Sequence, residues 1–260
     1  MYKRQAQSER AQLEAILDLT APTLAIAQPA GAHSRGGLVL WAVAEPLLRE
    51  AGARLRDRPA NDLLTEQSVL QAGDHVLRSL VGLPDSDYRI EVHAEDVAGN
   101  RATLTRDFQL DSLPPAVELT FPANNAVVAR GGTPLSLRGR VSDSHLAQWR
   151  LEIKATGAPD WALIGQGTQV VASVAELLSW QPAQIDGDYR LRLLALDLAG
   201  NENTVELDIS IDGTPPLVQI DSPSVSALLG GSFPVIGSVS DLHLSEYRLA
   251  LATPAQAAQG

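Results

Sequence analysis

The sequence predicts an all-β protein built from tandem β-sandwich repeats, and two observations carry that prediction. First, DYRLRLLALDLAGNEN at residues 188–203 recurs as DYRIEVHAEDVAGNRA at residues 87–102, at an offset of 101 residues and without a gap. Second, the repeated segments alternate apolar and charged residues with a period of two, which is typical of strands with one buried face. A period of about 100 residues suits one sandwich per repeat.

The junctions between repeats share a second motif. LDSLPPAVEL at residues 110–119 matches IDGTPPLVQI at residues 211–220, and LDLTAPTLAI at residues 17–26 resembles both more weakly. The aspartates that these segments share are Asp18, Asp111 and Asp212. Their spacing, 93 and then 101 residues, sets the repeat boundaries.

From these boundaries we predict a terminal strand of a preceding repeat at residues 1–20, complete repeats at 21–112 and 113–213, and a truncated repeat at 214–260. The opening MYKRQ has no counterpart in the repeat and is interpreted as foreign to it. The truncated repeat holds about three strands, which are too few to cover a hydrophobic face. We therefore expect it to need shelter from the second repeat or from another molecule.

Alternation predicts the two faces of the strand that precedes the first repeated turn. Its buried face is expected to hold Tyr88, Ile90, Val92 and Ala94. Its polar face is expected to hold Arg89, Glu91, His93 and Glu95. Tyr88 and Tyr189 each begin a strand after a polar corner, where a tyrosine hydroxyl can bond the upstream backbone. Trp149 and Tyr247 occupy equivalent places on an earlier strand and are expected to fill the cores.

Residues 45–80 fit the repeat pattern poorly. Their composition favours a helix, and Leu47, Leu48, Ala51 and Leu55 fall near a helical stripe. The alternative is a diverged set of middle strands, because tertiary context overrides local propensity. We favour strands and leave a short inserted helix open.

Composition limits the functions that the chain can have. The net charge of −11 argues against binding nucleic acid or an anionic membrane surface. The absence of cysteine removes disulfides, thiolate metal sites and thiol nucleophiles. No apolar run is long enough for a membrane span, and the charged start shows no secretion signal. If the protein is exported, we expect its targeting signal to lie outside this chain.

Three segments carry a family resemblance. VSDSHLAQWRLEI, DGDYRLRLLALDLAGNEN and IDGTPP resemble bacterial immunoglobulin-like repeats, a class that includes fibronectin-like variants. Such repeats occur in large surface or secreted proteins, among them adhesins and the stalks of RHS/YD-repeat proteins. The resemblance implies immunoglobulin-like sandwiches arranged end to end, in an extracellular or cell-surface spacer, stalk or adhesive module of a bacterium.

The sequence offers little for catalysis, so we predict that the segment is not an enzyme. It has no GxSxG elbow, HExxH helix, phosphate-binding loop or GxGxxG motif. His145 and His243 recur at equivalent places, which favours a structural or exposed position over an active site. Asp186 and Asp188 flank a tight corner and are interpreted as turn formers rather than as an acid and a base.

One group of oxygen ligands supports a sharper hypothesis, calcium bound at the domain junctions. Loops at one pole of each immunoglobulin-like sandwich, together with the incoming linker, would gather carboxylates and amides, which are ligands that Ca²⁺ prefers. The candidate ligands are Asp111, Asp143, Asp197, Asn201, Asp212 and Asp241, and the first-repeat equivalents are Asp18, Glu45, Asp96 and Asn100. The competing interpretation is that these side chains bond their own turns. Apart from this possible calcium, we expect no cofactor.

Two functions follow. The first is a non-catalytic structural or adhesive segment whose partners are neighbouring repeats of the same polypeptide. The second is an accessory module of a secreted enzyme or toxin that binds a glycan or a host or cell-surface protein. A binding module needs exposed aromatic side chains, and Trp161 and Trp180 are the candidates. Both are interpreted more simply as core residues.

Overall fold

The computed structural model describes residues 17–182 and 185–251. Contacts divide the chain into two compact units. The first runs to Leu113 and also holds Leu198–Asn201, and the second holds Pro114–Asp197 and the residues from Glu202 onward. In the described residues every helix or strand assigned is a β-strand, which confirms the predicted all-β class of tandem sandwiches.

The first unit is a two-layer sandwich of eight strands. They are β1 (Thr23–Gln28), β2 (His33–Ser34), β3 (Leu38–Ala44), β4 (Leu48–Asp57), β5 (Leu63–Val69), β6 (Gly73–Ser79), β7 (Ser86–Asp96) and β8 (Arg101–Leu110). One sheet has the order β1-β3-β6 and the other has the order β2-β8-β7-β4-β5. Strand β2 pairs in parallel with β8, and the other pairs are antiparallel.

The second unit repeats this plan. Its strands are β9 (Ala116–Phe121), β10 (Ala126–Ala129), β11 (Leu135–Ser142), β12 (Leu146–Ala155), β13 (Ala162–Gly167), β14 (Val171–Trp180), β15 (Gly187–Asp197) and β16 (Glu202–Asp212). The sheets have the orders β14-β11-β9 and β10-β16-β15-β12-β13, and β10 again joins its sheet in parallel. The same unit includes the antiparallel pair β17 (Leu217–Ser222) and β18 (Ile236–Ser240).

Residues 45–80 form strands, as the favoured interpretation held. They contain β4, β5 and β6, and β4 pairs with β7 over its whole length. The apparent helical stripe arises because Ala51, Ala53 and Leu55 line the buried face of β4 at the spacing of a strand.

The predicted faces of β7 are correct on the apolar side. Tyr88, Ile90, Val92 and Ala94 are all buried. The polar side differs at Glu95, while Arg89, Glu91 and His93 are all half-buried. Glu95 is buried, because Arg49 and Arg101 bond its two carboxylate oxygens at 2.7 and 2.8 Å. His93 is half-buried, since its ring lies against the backbone of Gly52.

The core tryptophans Trp41 and Trp149 lie in opposite sheets of their sandwiches, and the second sandwich has a further core tryptophan, Trp180, on β14. Trp41 of β3 pairs with Ile26, and Gly139 of β11 pairs with Leu119. Ile26 and Leu119 end the matching junction segments 17–26 and 110–119, so Trp41 and Gly139 occupy equivalent positions. Ala51 of β4 pairs with Ala94, and Trp149 of β12 pairs with Ala195. Ala94 and Ala195 are 101 residues apart in the repeat, so Ala51 and Trp149 also occupy equivalent positions. Trp41 and Trp149 are 1% and 7% exposed. The repeats therefore share a fold but pack their cores differently.

The tyrosine corners that the sequence predicts are present in both units. The hydroxyl of Tyr88 donates to the carbonyl of Pro84 at 2.7 Å, and that of Tyr189 donates to the carbonyl of Ile185 at 2.9 Å. Both rings are buried. Each bond closes the corner that leads into the central strand of its larger sheet, and so fixes where that strand begins.

The pair β17–β18 leaves its apolar side chains largely uncovered. Leu217, Val218 and Ile220 are 69%, 64% and 57% exposed. Tyr247 is 72% exposed, so the prediction that it fills a core is wrong for the described chain. Its counterpart Trp149 is buried because β12 lies between β13 and β15, whereas residues 241–251 form no strand.

Candidate functional site

The first repeated turn ends at Asn100 and encloses a buried carboxylate. Asp96, the last residue of β7, is fully buried. Its Oδ1 accepts the backbone N–H of Asn100 at 2.9 Å, and its Oδ2 accepts the Asn100 side-chain amide at 2.8 Å. Burial raises the pKa of Asp96, but hydrogen bonds from Asn100, Ala98 and Gly99 together bring that pKa below its usual value. The turn itself therefore holds this carboxylate ionised.

Asp18 and Glu45 lie near this turn within the first unit. The Oδ1 of Asp18 accepts the N–H of Thr20 at 2.9 Å, and the Oε1 of Glu45 accepts the N–H of Leu47 at 2.9 Å. The carbonyl of Asp18 accepts the Asn100 amide at 3.1 Å. The structure thus connects Asp18, Asp96 and Asn100 directly, while Glu45 bonds its own loop.

The second set of candidates is divided between the units. Asp111 and Asn201 belong to the first, where the Asn201 amide donates to the carbonyl of Asp111 at 2.8 Å. Asp143 and Asp197 belong to the second. Asp197 is 2% exposed, and Asp143 is half-buried and accepts the N–H of His145 at 2.6 Å.

Asp212 and Asp241 lie together with a histidine. The Oδ1 of Asp212 accepts the N–H of Thr214 at 2.9 Å, and its Oδ2 lies 2.9 Å from Nδ1 of His243. Asp241 accepts the N–H of His243 at 2.7 Å. The bond from Thr214 and then the contact with His243 lower the pKa of Asp212. Asp212, Thr214 and His243 border a cavity of about 470 Å³ that also reaches Asp186 and Asp188.

Every junction aspartate closes the same kind of turn. The Oδ1 atoms of Asp18, Asp111 and Asp212 accept the N–H two residues later at 2.9, 3.3 and 2.9 Å. This is the turn chemistry that we considered as the alternative to ion binding. Calcium at these residues stays a prediction.

The sequence pattern did not reveal the role of one repeated aspartate. Asp85 accepts the N–H and the hydroxyl of Ser112 at 3.0 and 3.2 Å. Its counterpart Asp186 accepts the N–H of Gly213 at 2.9 Å and the hydroxyl of Thr214 at 2.7 Å. Both aspartates therefore fasten the chain where it leaves the last strand. A signal was present in the sequence, because Asp85 and Asp186 are 101 residues apart.

The two candidate tryptophans differ. Trp180 is 6% exposed and belongs to the core of the second unit, as interpreted. Trp161 is half-buried and lies outside that core, so its assignment to the core is wrong. Nζ of Lys154 lies 4.6 Å and Cζ of Arg192 lies 4.1 Å from its ring centroid. Both cations project from the polar side of their strands, and Trp161 joins them there.

Comparison with known proteins agrees with the resemblance seen in the sequence. The family model described as a bacterial Ig-like domain matches residues 48–112 and 164–213. The first range runs from β4 to the end of the first repeat and the second covers the second half of the second repeat, and both include the turn and the last strand. No curated protein matches the chain significantly.

Several solved structures match the chain at low sequence identity. The fibronectin(III)-like modules of Clostridium thermocellum CbhA match at 16% identity and a TM-score of 0.45, over 74% of this chain and 94% of theirs. A tetra-tandem repeat from the extending region of a large adhesion protein matches at 16% identity and a TM-score of 0.33, over 79% and 53%. A 1.5-MDa bacterial ice-binding adhesin matches at 13% identity and a TM-score of 0.33, over 78% and 69%.

Membrane insertion through a helix has no support in the described part of the chain. Residues 17–182 and 185–251 include no helix of the length and apolar character that crossing a bilayer requires.

Proposed function

Because the bacterial Ig-like family model matches a part of each repeat, we propose that the chain is a structural repeat segment of a larger bacterial surface or secreted protein. Its task is to space or support other parts of that protein, with adhesion as the setting. The segment is non-catalytic, and its partners are the neighbouring repeats. Ig-like domains are generally non-catalytic, which supports this proposal.

The observation that carries the proposal is that the linker after the last strand of each repeat is held by hydrogen bonds to an aspartate. Asp85 and Asp186 each bind the chain just beyond the last strand through both carboxylate oxygens. A domain that acts alone has no need to fix its terminus in this way. A repeat that must hold the direction of the chain does, because a linker with free torsions would lose that direction.

The direct test is to stretch the 260-residue chain from its two ends in a single-molecule force experiment. A spacer made of independent sandwiches should unfold in two separate events, since each repeat has its own core. Each event should lengthen the chain by on the order of 300 Å, from about 3.5 Å per residue released. A single event, or a smooth extension without peaks, would rule out two load-bearing repeats.

A matched pair of variants connects this test to the fastening. Asp186→Ala removes both linker bonds and should lower the force of one of the two events. Asp188→Ala is the control, because Asp188 lies at the same corner but accepts the hydroxyl of Ser210, a residue within β16, at 2.6 Å. Equal forces in the two variants would show that the Asp186 contacts carry no load.

Trp161 supports a second candidate function, an accessory module that binds a glycan or a protein. An indole outside the core, beside Lys154 and Arg192, has the composition of a binding surface, where aromatic and arginine side chains are enriched. The test is to titrate the chain with surface glycans while tryptophan fluorescence is measured. A saturable change that disappears in Trp161→Phe would establish this function over that of a plain spacer. Absence of any change across the set would leave the ring with a packing role only.

A further inference from the structure

The side-chain amide of Asn100 uses both of its hydrogens. Nδ2 lies 2.8 Å from Oδ2 of Asp96 and 3.1 Å from the carbonyl oxygen of Asp18. A primary amide has two N–H donors, so each of these acceptors takes one. The amide therefore connects a fully buried carboxylate to a linker carbonyl that lies 82 residues earlier in the chain.

The same contact occurs a second time. Nδ2 of Asn201 lies 2.8 Å from the carbonyl oxygen of Asp111 and 3.5 Å from that of Leu113. Asn201 is 101 residues after Asn100, and Asp111 is 93 residues after Asp18. In both cases the acceptor is the carbonyl of the junction aspartate. The contact therefore belongs to the motif and not to one repeat.

Backbone geometry does not explain why asparagine stands at this position. The residues of the two turns with positive φ are Gly99 and Gly200, at 91° and 90°. Among the described residues, the non-glycine residues with positive φ are Asn61, Asn125 and Ser226. The turn thus has its left-handed residue already, and what Asn100 and Asn201 add is the side-chain amide.

We propose that the asparagine that ends each D-x-A-G-N turn is a linker clamp. Its amide fixes the backbone of the junction segment LDxxxP, and it does so without a metal ion. The NH₂ group presents the positive end of its dipole to oxygens that could otherwise face a cation. The clamp is independent of the spacer function, because it concerns how the linker is held and not what the chain carries.

The test is hydrogen–deuterium exchange of the full 260-residue chain, read by mass spectrometry on two linker peptides. One peptide covers residues 17–22 and the other covers residues 111–116. Loss of one hydrogen bond should speed exchange by roughly three- to tenfold in the linker that it holds. Asn100→Ala should loosen residues 17–22 and leave 111–116 unchanged. Asn201→Ala should do the reverse, so each variant is the control for the other.

Two further variants distinguish loss of the amide donors from a general loosening of the turn. Asn100→Asp keeps the size of the side chain but replaces both donors with acceptors beside Asp96, so it should loosen residues 17–22 at least as much as alanine does. Val97→Ala, which trims a 63% exposed side chain in the same turn, should have no effect. Peptides from β7 and β8 report whether the sandwich itself has opened.

Three results would overturn the clamp. One is unchanged exchange at residues 17–22 in Asn100→Ala while β7 stays protected. Another is equal loosening of both linkers by either variant, which would indicate general destabilisation. The third is protection of residues 17–22 in the unmodified chain by excess Ca²⁺ relative to chelator, which would make a cation the holder of that linker.

Discussion

The indole of Trp149 lies directly against the backbone of Gly167. A Cβ atom built on Gly167 would stand 2.5 Å from Cζ2 of the indole, closer than atoms can approach without displacement. The two residues face each other across the β12–β13 pair. In the first unit the equivalent pair is Ala51 and Val69. In the second unit the large residue lies in β12 and the small one in β13. In the first unit the small residue lies in β4 and the larger one in β5.

Gly167→Val should destabilise the second unit. The new side chain must displace the buried Trp149 ring, and overpacking of this kind costs about 1–3 kcal/mol. Trp149→Ala together with Gly167→Val recreates the pair found in the first unit, so the double variant should lose less stability than the sum of the two single variants. The measurement is the free energy of unfolding in urea. Additive losses would mean that the two residues do not constrain each other.

Tyr189→Phe should cost about 0.5–1.5 kcal/mol, since it removes only the hydrogen bond to the carbonyl of Ile185 and leaves the buried ring in place. Tyr247→Phe is the control, because Tyr247 is 72% exposed and should be neutral. Chemical denaturation of both variants checks this. Equal effects would show that the corner bond contributes nothing to the fold.

Acid should weaken the first unit through Asp107. The hydrogen bond from Arg89 is the main cause that lowers the pKa of Asp107 below the usual 3.8, and the nearby Arg58 adds to it. A carboxylate with a lowered folded-state pKa stabilises the fold above the unfolded-state pKa. That stabilisation is lost as the pH falls through the folded-state value.

The measurement for Asp107 is the urea midpoint between about pH 6 and about pH 3. We expect the midpoint of the unmodified chain to fall more steeply over this range than that of Asp107→Asn. Asp160→Asn, at an exposed loop position, should follow the unmodified chain. Parallel curves for the unmodified chain and Asp107→Asn would show that the ion pair with Arg89 has no effect on stability.

Calcium offers a separate comparison. If the linkers are held by side-chain amides, the thermal midpoint of the chain should be the same with excess Ca²⁺ and with a chelator. A ligand that binds only the folded form must raise the midpoint. A calcium-dependent rise that disappears in Asp197→Ala would instead establish the junction aspartates as ion ligands.

Much of the fold follows from local pattern alone. Period-two alternation predicts the buried face of β7, and the polar corners before Tyr88 and Tyr189 predict the tyrosine corners. Alternation could not place Glu95 or Trp161, because their burial depends on which side chains the neighbouring strands bring. Arg49 and Arg101 bury Glu95, and Lys154 and Arg192 hold Trp161 on the polar side.

The candidate site was predicted in outline only. The sequence could show that Asp96 and Asn100 recur, and the structure shows that they bond each other and the carbonyl of Asp18. The missing information was a contact across 82 residues, which no local pattern contains. A useful sign was present nonetheless. Asn100 follows a glycine that already supplies the positive φ of the turn, so its recurrence pointed to its side chain.

The opposite placement of Trp41 and Trp149 has a consequence for how such a chain folds. Tandem repeats of similar sequence are prone to misassembly, in which a strand of one repeat enters its neighbour. Here β3 in the place of β11 would bring the indole of Trp41 to a site where Gly139 has no room for a side chain. Strand β4 in the place of β12 would leave a void beside Gly167. We therefore expect the core composition of each repeat to disfavour entry of the other repeat's strands.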